Sequence, residues 1–154
     1  MNAPAANLRI NADRLWDSLM EMALIGPGIA GGNNRQTLTD EDAEGRALFQ
    51  TWCEAAGCTM GVDEMGTMFA TRPGTDPEAL PVYIGSHLDT QPTGGKYDGV
   101  LGVLGGLEVV RSLNDLGIKT KHPIVVTNWT NEEGTRFAPA MLASGVFAGV
   151  LDRE

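Results

Sequence analysis

The chain is poor in basic residues, in cysteine and in long apolar runs. Lys and Arg number 11 of 154 residues against 20 Asp and Glu, for a formal charge of −9. That balance argues against a nucleic-acid partner, which needs a basic stripe to displace counterions. It argues equally against an anionic membrane surface. No run of about 18 apolar residues occurs, so no membrane span is expected. Met1 to Ala6 shows no basic segment followed by an apolar one, so no secretory leader is expected. Cys53 and Cys58 are too few for a disulfide framework. Reduced thiols and a cytoplasmic location are the expectation. No repeat, low-complexity tract or linker interrupts the chain, and its length suits one domain. Glycine is what it has in excess: 20 of 154 residues, about 13% against a usual share of roughly 7%. Most of that excess lies between Gly85 and Gly149.

Asn11 can cap a helix whose stripe is Leu15, Leu19 and Met22, widened by Trp16 and Ala23. Gly26-Pro27-Gly28 ends it, and a Gly/Asn-rich loop runs to Asn34. Thr39 with Asp42 resembles a capping box. The following helix is expected to bury Ala43, Ala47, Leu48 and Trp52 and to stop at Gly57. Cys58 to Val62 and Thr67 to Thr71 read as strands of a hairpin around Met65-Gly66. Pro81 to Ser86 reads as a buried strand. A helix is expected over Gly99 to Gly117, with Val100, Val103, Leu104, Leu107, Val110 and Leu113 inward. Its Gly102, Gly105 and Gly106 cost helix propensity, which makes sense if the helix lies close against a sheet. Pro123 to Thr130 reads as another strand and Met141 to Val150 as the start of a last helix. The alternation predicts an α/β fold, with a mostly parallel sheet flanked by helices. Ligands of such sheets sit at the carboxyl ends of strands.

Two of those ends carry ligand atoms. The first is Gly85-Ser86-His87-Leu88-Asp89-Thr90, followed by Gly94-Gly95-Lys96-Tyr97-Asp98-Gly99 at a helix start. The second is Asn131-Glu132-Glu133-Gly134. One imidazole and four carboxylates suit Zn or a related divalent ion, and Mn, Co or Ni fit the same donors. In His-x-Asp on a strand the two side chains share a face, so Asp89 can bond the far nitrogen of His87. Asp98 can bridge two ions, which typically lie about 3.5–4 Å apart. Of Glu132 and Glu133, one can coordinate while the other acts as base. His122, before a strand, reads as a surface residue. Lys96 and Arg136 are the nearest cations; a surface salt bridge is the expected role, with substrate carboxylate binding as the alternative.

Other chemistries fit less well. No G-x-S-x-G elbow is present around Ser86 or Ser144. The Gly95-Lys96 loop lacks the glycine five residues earlier that a phosphate cradle needs, since Thr90 stands there. Cys53 has no histidine partner in sequence and reads as core. A two-carboxylate glycosidase is compatible with the composition but leaves His87 unexplained.

The His87-x-Asp89 segment, the Pro92 to Gly99 loop and the stretch Asn128-Trp129-Thr130-Asn131-Glu132-Glu133-Gly134-Thr135-Arg136-Phe137 resemble the amidase/hydantoinase-carbamoylase branch of the M20 metallopeptidase superfamily. Arg14-Leu15-Trp16, Gly31-Gly32 and Leu38-Thr39 extend the resemblance along nearly the whole chain. The 11-residue step from His87 to Asp98 also resembles this branch. The resemblance implies a zinc-peptidase-like catalytic domain with residues 1–154 as its N-terminal portion. It implies two divalent metal ions, with His87 and Glu133 as ligands, Asp98 as the bridge, Asp89 holding the imidazole and Glu132 as general base. The implied reaction is hydrolysis of an N-carbamoyl-L-amino acid to the amino acid, CO2 and ammonia by a homodimer. Allantoate amidohydrolase and β-ureidopropionase are alternatives. His87, Asp98 and Glu133 are only three ligands for two ions; the family supplies two more histidines, and an inserted dimerisation or lid domain, from positions downstream. The chain alone is therefore expected to bind metal weakly, to expose a sheet edge and not to turn over. The rival from another class is a non-catalytic binding fragment with a vestigial metal site.

Overall fold

The structure, a computed structural model, describes residues 8–153; the reading of Met1 to Ala6 lies outside them. Asn11 keeps extended backbone and accepts a hydrogen bond from Arg14 N, which caps α1 (Ala12–Met22). Leu19, Met22 and Ala23 are buried and Leu15 packs at the core's edge. Trp16 departs from the expected stripe. It is 53% exposed and lies against Tyr97, with ring centroids 5.9 Å apart.

Thr39 caps α2 (Asp40–Ala55) by accepting from Asp42 N. Asp42 Oδ2 in turn accepts from Leu38 N, the residue before the cap, at 2.9 Å. The buried face of α2 is Asp42, Gly45, Phe49 and Cys53. Ala43 and Ala47 are exposed, and Leu48 and Trp52 only half-buried, contrary to expectation. The cause is a polar neighbour: Arg35 lies against Gly45, where a Cβ would stand 2.9 Å from Arg35 Cδ. Gly57, at φ +81°, ends the helix as predicted.

β1 (Thr59–Val62) and β2 (Met68–Arg72) form the expected antiparallel hairpin. Asp63 Oδ1 accepts from Met65 N and Thr67 N and closes its turn. β3 (Val82–Ser86), α3 (Val100–Asp115) and β4 (Ile124–Asn128) make a parallel strand–helix–strand unit, and α4 (Leu142–Phe147) follows. The sheet order is β1-β2-β4-β3. Helices flank this α/β sheet, but it is mixed and not mostly parallel: β1–β2 and β2–β4 are antiparallel and only β3–β4 is parallel. A tight turn dictates the first sense and a helical crossover the last; the long-range β2–β4 pairing has no local signal. β3 is an edge strand among the described residues. Val82 and Tyr83 are 47% and 48% exposed, so the expected buried strand is instead β4, buried throughout.

α3 lies on β3 and β4 through its glycines. A Cβ on Gly102 would stand 2.7 Å from Ser86 Cβ, and one on Gly106 3.0 Å from Val126 Cγ1. Gly105 faces open space. Val100, Val103, Leu104, Leu107 and Val110 join Phe49, Met68, Ala70 and Val126 in one core. Phe69, Tyr83, Trp129 and Phe147 cluster together, with neighbouring centroids 5.0–6.4 Å apart.

α1 is pinned to α3 by a buried charge. Glu108 is fully buried. Arg14 Nε and Nη2 donate to its two oxygens, each at 2.8 Å, and Asn11 N and Ser112 Oγ add bonds of 3.0 and 2.9 Å. Burial pushes the carboxyl up, but these donors outweigh it and hold it below its usual range. The group is thus more acidic folded than unfolded, so its stabilisation is present above the unfolded value of about 4.3 and is lost as pH falls toward the folded value. Glu108→Gln is expected to lose about 2 kcal/mol at pH 7. Urea midpoints measured from pH 7 to 3 should fall less steeply with acid in the variant than in the native protein.

Candidate metal centre

The parallel β3–β4 pair brings both ligand-bearing segments to one end of the sheet. The pair continues one step past the strands, with Trp129 N donating to Ser86 O at 2.8 Å. Asn128 Oδ1 accepts from Leu88 N at 2.9 Å. His87 and Asp89 follow β3 and are 5% and 4% exposed.

Asp89 joins the two ends. Its Oδ1 accepts from Glu132 N at 3.3 Å and its Oδ2 from Glu133 N at 3.2 Å. This is not the bond expected from sequence. The His87 imidazole is held by the backbone carbonyl of Asp89, with Nδ1 at 2.8 Å from that oxygen, while the carboxylate is 3.7 Å away. The reason is burial: the carboxylate finds two backbone donors at the neighbouring strand end, and the carbonyl alone suffices for Nδ1. The consequence for His87 is unchanged. Nδ1 is engaged, and Nε2 is the atom directed outward, 3.3 Å from Glu132 Oε2.

The turn that carries Glu132 and Glu133 is fixed from both sides. Asn131 is buried in the left-handed region at φ +57°, and its Nδ2 donates to Phe137 O and Pro139 O. Short polar side chains tolerate that conformation better than most. Met141 N donates to Glu132 O at 2.7 Å. A Cβ at Gly134, φ +64°, would stand 2.5 Å from Ala140 N. Glu133 Oε2 accepts from Gln91 Nε2 at 3.0 Å, while its Oε1 is buried with no partner.

Asp98 is brought near but left free. It is exposed, and among the described residues its carboxylate makes no hydrogen bond or ion pair. Its neighbour Gly99, the residue before α3, has φ +68°, and a Cβ there would overlap the His87 ring. The imidazole therefore lies on the Gly99 backbone, one residue from Asp98. Among the described residues, no three His, Cys, Asp or Glu side chains stand ready to hold one ion. The donor types fit a divalent cation: a buried imidazole with one outward nitrogen, three carboxylates at the rim and an orphaned buried carboxylate oxygen.

Arg136 is not in a salt bridge, contrary to expectation. It donates to the carbonyls of Thr37 and Leu38 and packs on Phe137, 5.0 Å from the ring centroid. His122 is exposed, as predicted. Cys53 and Cys58 are buried free thiols, and burial pushes the pKa of both up, which fits core residues rather than nucleophiles. Sequence reasoning missed Gly99, Gln91 and Asn131; the glycine run before α3 and the Asn before the Glu pair were their only signals.

Known proteins resemble this chain in sequence and fold. Residues 83–154 match Peptidase family M20/M25/M40. Along all 154 residues the chain is 84% identical to an N-carbamoyl-L-amino-acid amidohydrolase of Rhizobium meliloti, and spans 37% of that protein. It is 34% identical, over 94% of its length, to a ureidoglycolate hydrolase of Arabidopsis thaliana and spans 30% of it. A crystal structure of a hydantoinase/carbamoylase family amidase from Burkholderia ambifaria superposes with TM-score 0.94 at 59% identity, over 95% of this chain and 36% of that one. The chain thus spans about a third of the length of these relatives, and within that span residues 83–154 match the M20/M25/M40 peptidase family and the chain is similar to hydantoinase/carbamoylase amidases.

Proposed function

We propose that residues 1–154 form the N-terminal part of the catalytic domain of a metal-dependent amidohydrolase. Its reaction is the hydrolysis of an N-carbamoyl-L-amino acid to the amino acid, CO2 and ammonia, carried out by a cytoplasmic homodimer. The observation that carries this reading is the joining of two strand ends by Asp89, which sets His87 Nε2 beside the Glu132–Glu133 pair. The 84% identity to an amidohydrolase supports the choice of substrate.

In this reading His87, Asp98 and Glu133 would hold two divalent ions, Zn or alternatively Mn, Co or Ni. Such ions acidify water and polarise a carbonyl. Glu132, half-exposed beside His87, takes a proton from water as that water attacks the ureido carbonyl. It returns the proton to the nitrogen of the amino acid as the C–N bond breaks. The carbamate released falls to CO2 and ammonia. Asp89 orients both sides, the imidazole through its carbonyl and the Glu pair through its carboxylate. The 34% identity to a ureidoglycolate hydrolase keeps a second ureido substrate in view.

Two experiments test this on the full-length protein. Turnover of N-carbamoyl-L-methionine, N-carbamoyl-β-alanine and allantoate should rank the first highest, vanish with chelator, and fall about 10²–10⁴-fold in kcat in Glu132→Gln. Preference for allantoate moves the assignment to the second reading, and full activity in Glu132→Gln removes the base. No turnover together with wild-type metal binding in His87→Ala would favour a non-catalytic fragment. Gly99→Ala places a methyl group in the imidazole's space. It should weaken metal binding, read by chelator competition, about tenfold or more, with the rest of the fold intact by circular dichroism.

A further inference from the structure

The loop between α1 and α2 carries a fully buried arginine that neither the family match nor the proposed chemistry uses. Arg35 Nε donates to Leu88 O at 2.9 Å, and its Nη1 donates to Ile25 O and Met22 O at 2.8 and 3.2 Å. Its backbone N donates to Thr90 Oγ1, and its carbonyl accepts from Thr90 N, both at 2.8 Å. Two residues earlier, Asn33 exchanges both backbone bonds with Gly94, at 2.9 and 3.0 Å. The Asn33 amide is itself fixed on the carbonyls of Ala23, Ile25 and Gly26. The segment is a strap laid along the back of the His87–Gly94 loop and tied to the end of α1.

Among the described residues no carboxylate lies within ion-pair distance of Arg35, and its Nη2 is buried without a partner. Burial draws its pKa down, opposed by the charges of Asp42 and Asp89. A buried cation without a contacting counter-ion is costly, and an apolar side chain of similar volume avoids that cost. What an apolar residue lacks is the planar fork that reaches three carbonyls on two segments. The guanidinium holds Leu88 and the residue-35 backbone holds Thr90, so together they tie both residues flanking Asp89. With both neighbours fixed, the Asp89 carbonyl is directed at His87 Nδ1 and its carboxylate at the Glu132 and Glu133 amides.

We propose that Arg35 is a positioning residue, which fixes the His87–Thr90 backbone so that His87 Nε2 and the Glu132–Glu133 pair present their donor atoms together. The proposal rests on the metal-dependent reading above. The test is Zn2+ affinity by chelator competition, with kcat and KM at rising Zn2+, on the full-length protein carrying Arg35→Lys or Thr90→Val. Arg35→Lys keeps the charge and loses the fork. Thr90→Val keeps the side-chain shape and removes the bond to Arg35 N, and it carries the measurement if Arg35→Lys does not fold. Each folded variant should bind Zn2+ about 10–100-fold more weakly. Its kcat should return at high Zn2+ with KM unchanged, which a general loosening of the fold would not produce. Wild-type Zn2+ affinity in a folded variant, or kcat that stays low at saturating Zn2+, overturns the proposal. A wild-type protein that binds none of Zn2+, Mn2+, Co2+ or Ni2+ overturns the metal reading, and this inference with it.

Discussion

A carboxylate that is 4% exposed must find donors, and Asp89 finds them on another strand. Its two oxygens take the amide hydrogens of Glu132 and Glu133, which stand at the end of β4 where the sheet no longer supplies partners. Hydrogen bonds to a charged acceptor contribute about 1.5–3 kcal/mol each, and an unpaired buried carboxylate costs several. The β3 and β4 ends are therefore locked in one relative position. Much else at this end of the sheet follows. The Asp89 carbonyl is turned to His87 Nδ1, the imidazole is laid on Gly99, and the two glutamates are held at the rim instead of folding back into the sheet.

That constraint is non-local, and its parts were unequally legible in the sequence. The helix boundaries were readable because their causes are local: Asn11 and Thr39 satisfy amides three residues on, and Gly57 adopts a positive φ. The sense of the sheet was not. β2 pairs with β4 across 52 to 60 positions of chain, and nothing in either strand's apolar pattern states its partner. The face of α2 was misread for a different reason. Counting apolar residues selects Ala43 and Ala47, yet the helix turns Gly45 inward because the Arg35 side chain occupies the adjacent space. Hydrophobic periodicity finds oily neighbours and is blind to a buried guanidinium.

The same asymmetry governs the site. Which of the proposed residues come together was legible, since His87, Asp89, Glu132 and Glu133 stand where β3 and β4 end, and strand ends are local features. How they touch was not. The spacing of His-x-Asp allows either the carboxylate or the carbonyl of Asp89 to face the ring; the competing demand of the Glu132 and Glu133 amides decides it. Arg35 and Asn33, both fully buried, lie in a stretch whose composition reads as a plain loop. A loop rich in glycine exposes backbone carbonyls, and buried carbonyls call for donors that reach several at once.

The geometry around His87 bears directly on the proposed metal reading. With Nδ1 engaged by a carbonyl, the ring offers Nε2 outward, and Glu132 Oε2 stands 3.3 Å from it. Glu133 keeps one oxygen buried without a partner, and the Asp98 carboxylate is free one residue from the backbone on which the ring rests. Buried acceptors that outnumber their donors are unfavourable in a chain already carrying a charge of −9. Lys96 and Arg136 are the nearest basic residues in sequence. Arg136 is committed to the carbonyls of Thr37 and Leu38, and Lys96 makes no ion pair among the described residues. A positive centre of small radius and open coordination relieves that excess where a side-chain cation has not been placed. The arrangement is therefore one in which the proposed metal ligands stand at one end of the sheet without a contacting side-chain cation among the described residues.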